Sequence, residues 1–225
     1  MKKPRTNVAT LGAELLRELA ADPRRFVERG RSHDLLQLYF DGLSVETLRP
    51  FVVSDDEHIR RSVAFILSEL GARARPLVAD VGTLLASSVP RVRADAMDVL
   101  TVCSVGEHAQ LFAHVVRGLD DADPAFRAHA MDLVANADAS QLDAARRTFE
   151  ASSGDHPHVS LLERLVGAEI APASVSQMLR APGALERRYG AIAAARVARR
   201  APAFLDEAAA SEDEGVRAFA ERQRR

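Results

Sequence analysis

Two Glu-His dipeptides, Glu57-His58 and Glu107-His108, and the triplet His156-Pro157-His158 place side chains able to bind a metal or move a proton next to one another. A bound metal needs three or four converging ligands. Each dipeptide falls near a predicted helix start, where an acidic residue already complements the helix dipole. The His-Pro-His triplet has no third ligand nearby in sequence and reads as an exposed polar loop. Cys103 is the only cysteine, which rules out an intramolecular disulfide and a cysteine-based zinc cage. It falls on an apolar helix face and reads as a small core residue. The sequence has no Gly-rich phosphate loop, no nucleophile elbow and no His-Glu-x-x-His helix. The expectation is therefore a protein without catalytic residues, cofactor or metal.

The elements around these residues follow from a repeated phrase. "RADAMDVL" begins at Arg93 and "RAHAMDLV" begins at Arg127. The pattern extends to "SDDEHIRRSVAFILSELG" from Ser54, "SSVPRVRADAMDVLTVC" from Ser87 and "DDADPAFRAHAMDLVANA" from Asp120. An apolar residue followed by Arg recurs at Ile59-Arg60, Val92-Arg93, Phe126-Arg127 and Val216-Arg217. A period of this size is the signature of stacked helical hairpins, each burying its apolar stripe against its neighbours. Within a copy, Ile59, Val63, Ile66, Leu67 and Leu70 recur at three- and four-residue steps, the spacing of one helix face. Ser, Asp and Pro residues ahead of these runs supply N-caps and a first-turn Pro, as in "DADPAFR". A further helix precedes each one, as in "ARPLVADVGTLLA" and "EHAQLFAHVVRGL". The segments "GDHPHVSLLERLVG" and "GALERRYGAIAAARVA" are weaker copies without a clean apolar-Arg pair.

The phrase "LDDADPAFRAHAMDLVANA" resembles the consensus of HEAT repeats, in particular the short bacterial HEAT-like type. The resemblance covers roughly residues 43–225 and is faint between 140 and 200. It implies an all-α fold: a right-handed α-solenoid of about five to six HEAT-like helical hairpins, with second helices lining a concave groove. It also implies a structural ladder between loop Asp residues and the following Arg, here Asp56 with Arg60 and Asp121 with Arg127. Residues 1–42 do not fit the pattern and read as an N-terminal helical cap, ahead of one continuous array at 43–225. HEAT-like deoxyhypusine hydroxylases carry His-Glu dipeptides as iron ligands, whereas here the order is reversed and only two pairs occur. HEAT-like DNA glycosylases line a basic cleft with aromatics, whereas this chain has no Trp. Nor can the chromophore-handling residues of related phycobilin lyases be identified.

The repeat register predicts which side chains face the groove. Opposite the apolar slots lie Ser62, Asp95 and His129 in one row. Phe65, Asp98 and Asp132 form the next, and Glu69, Val102 and Asn136 the third. The centre of that surface carries Glu69, Asp95, Asp98 and Asp132 and no basic residue, and Asp95, Asp98 and Asp132 are expected to be exposed. The predicted partner-binding set is Ser62, Phe65, Glu69, Asp95, Asp98, His129, Asp132 and Asn136, and the partner it suits is a protein with a basic surface. A formal charge of −2, with both signs dispersed, lacks the broad positive field of a nucleic-acid binder. The Arg-rich segment at 187–200 is the one local exception. The N-terminal stretch reads as an amphipathic helix and not a secretory leader, and no window is apolar enough to span a membrane. The expectation is a cytoplasmic protein-binding scaffold, such as an immunity protein that neutralises a basic toxin domain. The alternatives are an adaptor subunit or a HEAT-like enzyme.

Overall fold

A computed structural model describes residues 5–152, 156–167 and 170–224, and those residues are mostly helical, with no strand among them. The chain divides into two compact units, residues 1–103 and 104–225.

The first unit opens with α1 (Arg5–Ala21), α2 (Pro23–Glu28) and α3 (Arg31–Phe40). A 3-10 turn at Val45–Leu48 runs into α4 (Arg49–Val52), followed by α5 (Glu57–Leu70). Between Gly71 and Ala86 the chain alternates 3-10 turns with the single turn of α6 (Val78–Val81) before α7 (Pro90–Cys103). This element was predicted as one helix. Gly71 begins it at φ +54°, a left-handed conformation that costs glycine little. Pro76 lies inside it without a backbone N–H, so it cannot support a regular helix there. The helices after these irregular segments are long and regular. The apolar slots of α5 and α7 are buried as the spacing requires: Val63, Ile66 and Leu67 on one, Val92, Ala96 and Leu100 on the other. α5 packs on α7 and also receives α2 and α3, which bring Phe26 and Leu35 into the core.

The second unit starts with 3-10 turns around α8 (Phe112–Arg117), then α9 (Pro124–Asn136), α10 (Ala139–Ser152) and α11 (Pro157–Val166). Three further helices follow a turn apart: α12 (Pro172–Leu179), α13 (Ala184–Val197) and α14 (Ala203–Ala209). The last is α15 (Glu214–Gln223). α13 is central, packing on α9, α12, α14 and α15, and α15 also reaches α9. Tyr189, Gly190, Ala191, Ile192, Ala193 and Ala194 of α13 are all buried. Gly190 lies so close to α12 that an added Cβ would sit 2.6 Å from Leu179 N.

The loop side chains bond to backbone as well as to one another, and Arg187 Nη2 lies 4.0 Å from Asp213 Oδ2 in the loop of the next copy. Asp56 and Asp123 cap α5 and α9, each accepting from two backbone N–H groups in the first turn. Asp121 Oδ1 accepts from Asp123 N–H at 2.8 Å. The arginines bond to backbone carbonyls. Arg127 Nη1 donates to Asp121 O and Ala122 O at 2.6 and 2.9 Å, and Arg217 Nη1 donates to Ser211 O and Glu212 O at 2.8 Å each. Arg93 Nη1 donates to Ser87 O at 3.2 Å. Arg187 does the same with Ala181 O and Pro182 O, at 2.9 and 2.6 Å. The faint copy around 184–197 thus carries the same clamp as the strong ones. Arg60 is the exception: its Nη2 bonds Glu57 Oε1 at 2.6 Å, and Glu57 Oε2 accepts from Ser87 Oγ at 2.8 Å. Glu57 therefore ties α5 to the loop before α7.

Candidate functional site

Three residues predicted to share a groove meet in one cavity of the first unit. Ser62 and Phe65 from α5 and Asp95 from α7 line a space of about 290 Å³. Its remaining walls are Val27 of α2, Gly30, Ser32 and His33 at the start of α3, and the guanidinium groups Arg61 and Arg91. Gly30 turns the chain between α2 and α3 at φ +69°, where a Cβ would be strained. That turn delivers Ser32 and His33 over α5. Ser32 Oγ donates to Ser62 Oγ at 3.0 Å, and the His33 ring lies 4.8 Å from the Phe65 ring, tilted by 51°.

The structure corrects the expected exposure of this surface. Ser62 and Asp95 are buried, because residues 30–33 fold over α5 and because α7 packs tightly against it. The surface is also not free of basic residues. Arg91 sits one helical turn before Asp95, and its Nε lies 2.8 Å from Asp95 Oδ1. The pair is asymmetric: the Asp95 side chain is 3% exposed and that of Arg91 69%. The angle of approach is poor, and Asp95 Oδ1 accepts no well-formed hydrogen bond. Burial pushes the Asp95 carboxyl up to about 6; Arg91 works against that shift, while Asp98 and Glu69 reinforce it. Glu69 is exposed and Asp98 half-buried, so both place negative charge beside the cavity.

The other predicted residues lie in the second unit, on α9, and are used differently. Asp132 accepts from Arg222 Nη2 and from Gln223 Nε2, both at 2.9 Å. The end of α15 therefore occupies a carboxylate expected to face a partner. Asn136 Nδ2 donates back to Asp132 O at 2.8 Å, and His129 is half-buried. Of these three, Asp132 is tied to another helix of the second unit.

The His-Pro-His triplet is not an exposed loop. His156 caps α11, its Nδ1 accepting from His158 N–H, and stacks on Phe149 at 4.5 Å. His158 is buried, with Nδ1 2.9 Å from Tyr189 Oη and Nε2 3.1 Å from Asp120 Oδ2. The hydrogen bond from His158 holds the Asp120 carboxyl below its ordinary range, with burial opposing it. A carboxylate, an imidazole and a phenol stand in series, with His158 and Tyr189 closed to solvent. The chain acts as a polar strut between α11, α13 and the loop before α9.

Much of the Arg-rich segment is likewise structural. Arg188 Nη1 donates to Leu119 O at 2.6 Å. Arg196 Nη1 donates to Val134, Ala135 and Ala137 carbonyls at 3.4, 3.0 and 2.7 Å, closing the C-terminus of α9, where a cation also meets the negative end of the helix dipole. Cys103 is buried, as expected, with Sγ 3.5 Å from Gly71 O.

Among the described residues no group of three His, Cys, Asp or Glu side chains is placed to hold a metal ion. No described helix is long and apolar enough to cross a membrane. The cavity bounded by α2, α3, α5 and α7, which gathers Ser62, Phe65 and Asp95, is the candidate site, with Asp95 as its buried charge. Compared with known proteins, the chain matches no protein-family model and no curated sequence.

Proposed function

We propose that this chain is a right-handed α-solenoid of five to six HEAT-like hairpins, capped by residues 1–42, that binds another protein without catalysis. The clamp repeated at Arg93, Arg127, Arg187 and Arg217 supports the repeat reading, since the same side chain meets the same loop carbonyls in each copy. The observation that carries the binding reading is the convergence of Ser62, Phe65 and Asp95, from two successive long helices, on one cavity. Glu69 and Asp98 stand beside it. Arg61 and Arg91 also line the recess, but Asp95 with Glu69 and Asp98 gives it a negative side that suits a basic protein segment, because complementary charge speeds encounter and selects the partner. In its sharpest form the function is that of an immunity protein holding a basic toxin domain.

Co-purification from the native host with the full chain, compared with its Glu69→Gln/Asp98→Asn variant, tests this. A basic protein retained by the wild type, lost from the double variant and released as salt rises is the expected result. Retention that ignores both carboxylates and ionic strength would overturn it.

A further inference from the structure

We infer that the cavity between α3, α5 and α7 receives a single guanidinium group, an arginine side chain of the bound partner, with Asp95 as its counter-ion. The inference deepens the protein-binding reading and rests on it for the source of that arginine.

Asp95 is the one charged group of the cavity that cannot turn out to water. Its side chain is 3% exposed, whereas Arg91 is 69% exposed and Arg61 is exposed as well. A buried carboxylate oxygen ordinarily accepts hydrogen bonds, and leaving one without them is costly. Oδ1 of Asp95 lacks a well-formed one, because Arg91 approaches it along the same helix, four residues away, at a poor angle. An arginine entering from the open side is not held to that geometry and can present its paired N–H groups to the carboxylate. Arg91 is held by little else in the cavity and can swing into solvent as it is replaced.

The other walls fit the same group. Phe65 and the tilted His33 ring offer aromatic surface for the flat face of a guanidinium. Ser32 and Ser62 contribute oxygen acceptors at the floor. Glu69 and Asp98 add negative potential around Asp95. A guanidinium is favoured over an ammonium because it is planar, weakly hydrated and able to stack while hydrogen bonding. The competing occupant is an anion held by Arg61, Arg91 and His33. It would have to sit against a buried carboxylate, with counter-charges that are free to stay in water.

The full chain is titrated with ethylguanidinium, ethylammonium, acetate and inorganic phosphate, and backbone amide shifts are followed by NMR at Gly30, Ser32, His33 and Ser62. Ethylguanidinium is expected to shift these amides saturably, with ethylammonium several-fold weaker and the two anions without effect. Asp95→Asn should weaken ethylguanidinium at least tenfold, and Arg91→Ala should tighten it by removing the internal competitor. Saturable binding of acetate or phosphate, no saturable shift with ethylguanidinium, or equal affinity in Asp95→Asn would each overturn the assignment. The small probes separate this inference from the protein-binding reading. If ethylguanidinium does not bind while partner capture still depends on Glu69 and Asp98, the arginine pocket falls and the docking face stands. If it binds through Asp95 while capture ignores those carboxylates, the reverse holds.

Discussion

Replacing Asp95 by asparagine removes a charge while keeping the shape of the side chain. In the folded chain the carboxyl is raised from an ordinary 3.8 to about 6, chiefly by burial. At about 1.4 kcal/mol per pH unit, keeping it ionised at neutral pH costs on the order of 3 kcal/mol relative to the unfolded chain. The sign follows from which state holds the proton. Between pH 3.8 and 6 the folded chain binds more protons than the unfolded one, so stability falls as pH rises through that window and is level above it. The ion pair with Arg91 returns little, because its cationic partner is well exposed and such pairs are worth about 0–1 kcal/mol. Asp95→Asn should therefore stabilise the first unit by about 1–3 kcal/mol at pH 7.5, raising its melting temperature by several degrees. At pH 4 the gain should disappear, because the wild-type residue is then largely neutral too. Thermal melts of both proteins at pH 4, 5, 6 and 7.5, followed by circular dichroism, read this directly. A variant that melts lower than the wild type at pH 7.5, or a difference that does not change with pH, would refute the reasoning.

Gly190→Ala should destabilise the second unit by about 1–3 kcal/mol, since its Cβ would meet backbone atoms of Met178 and Leu179. Gly82→Ala, with nothing within 4 Å and φ −53°, should be neutral or slightly stabilising in the same thermal melts. Arg196→Ala should cost about 1.5–3 kcal/mol by leaving the carbonyls at the end of α9 without their charged donor. Arg196→Lys should recover part of that loss in chemical denaturation. Because Asp120 is held below its ordinary range by His158, its contribution is present above about pH 4 and lost as pH falls through its folded value. Asp120→Asn should accordingly lower the neutral plateau of the melting curve, while the two proteins converge at the acid end. Deleting residues 1–42 should lower solubility, as light scattering would show, because α2 and α3 pack on α5 and their removal would expose its apolar residues.

The helical class and the long helices were legible because their apolar residues keep a 3.6-residue step and their caps are conventional. Asp56 and Asp123 stand where the sequence places them. The irregular segments before α7 and α9 were not legible as such. Their apolar spacing is helical, and only Gly71, Pro76 and Gly82 hint that the backbone tightens into 3-10 turns there. The register around 184–197 was faint for a different reason. α13 is buried on nearly every side, so its small residues show no polar face to set the phase. The clamp by Arg187 was hidden because the position before it is Glu186 where the other copies carry an apolar residue.

At the candidate site the register placed Ser62, Phe65 and Asp95 on one surface, and they line one cavity, but a helical wheel treats the face opposite the core as solvent. Whether that face is covered depends on contacts distant in sequence: Ser32 on Ser62, thirty positions apart, and Arg222 on Asp132, ninety apart. The two cases differ in what covers the acid. Asp132 is met by a guanidinium and an amide in good hydrogen-bond geometry, and so contributes to the fold of its unit. Asp95 is met by one exposed arginine at a poor angle, and its burial is costly at neutral pH. A site that binds a cation must keep an acceptor whose hydrogen bonds are not already made, and such an acceptor is destabilising until the ligand arrives. Asp95→Asn therefore separates the two roles. A carboxylate kept for packing would, on removal, lower stability and leave guanidinium binding unchanged. One kept for a ligand should raise stability and abolish binding in the same variant.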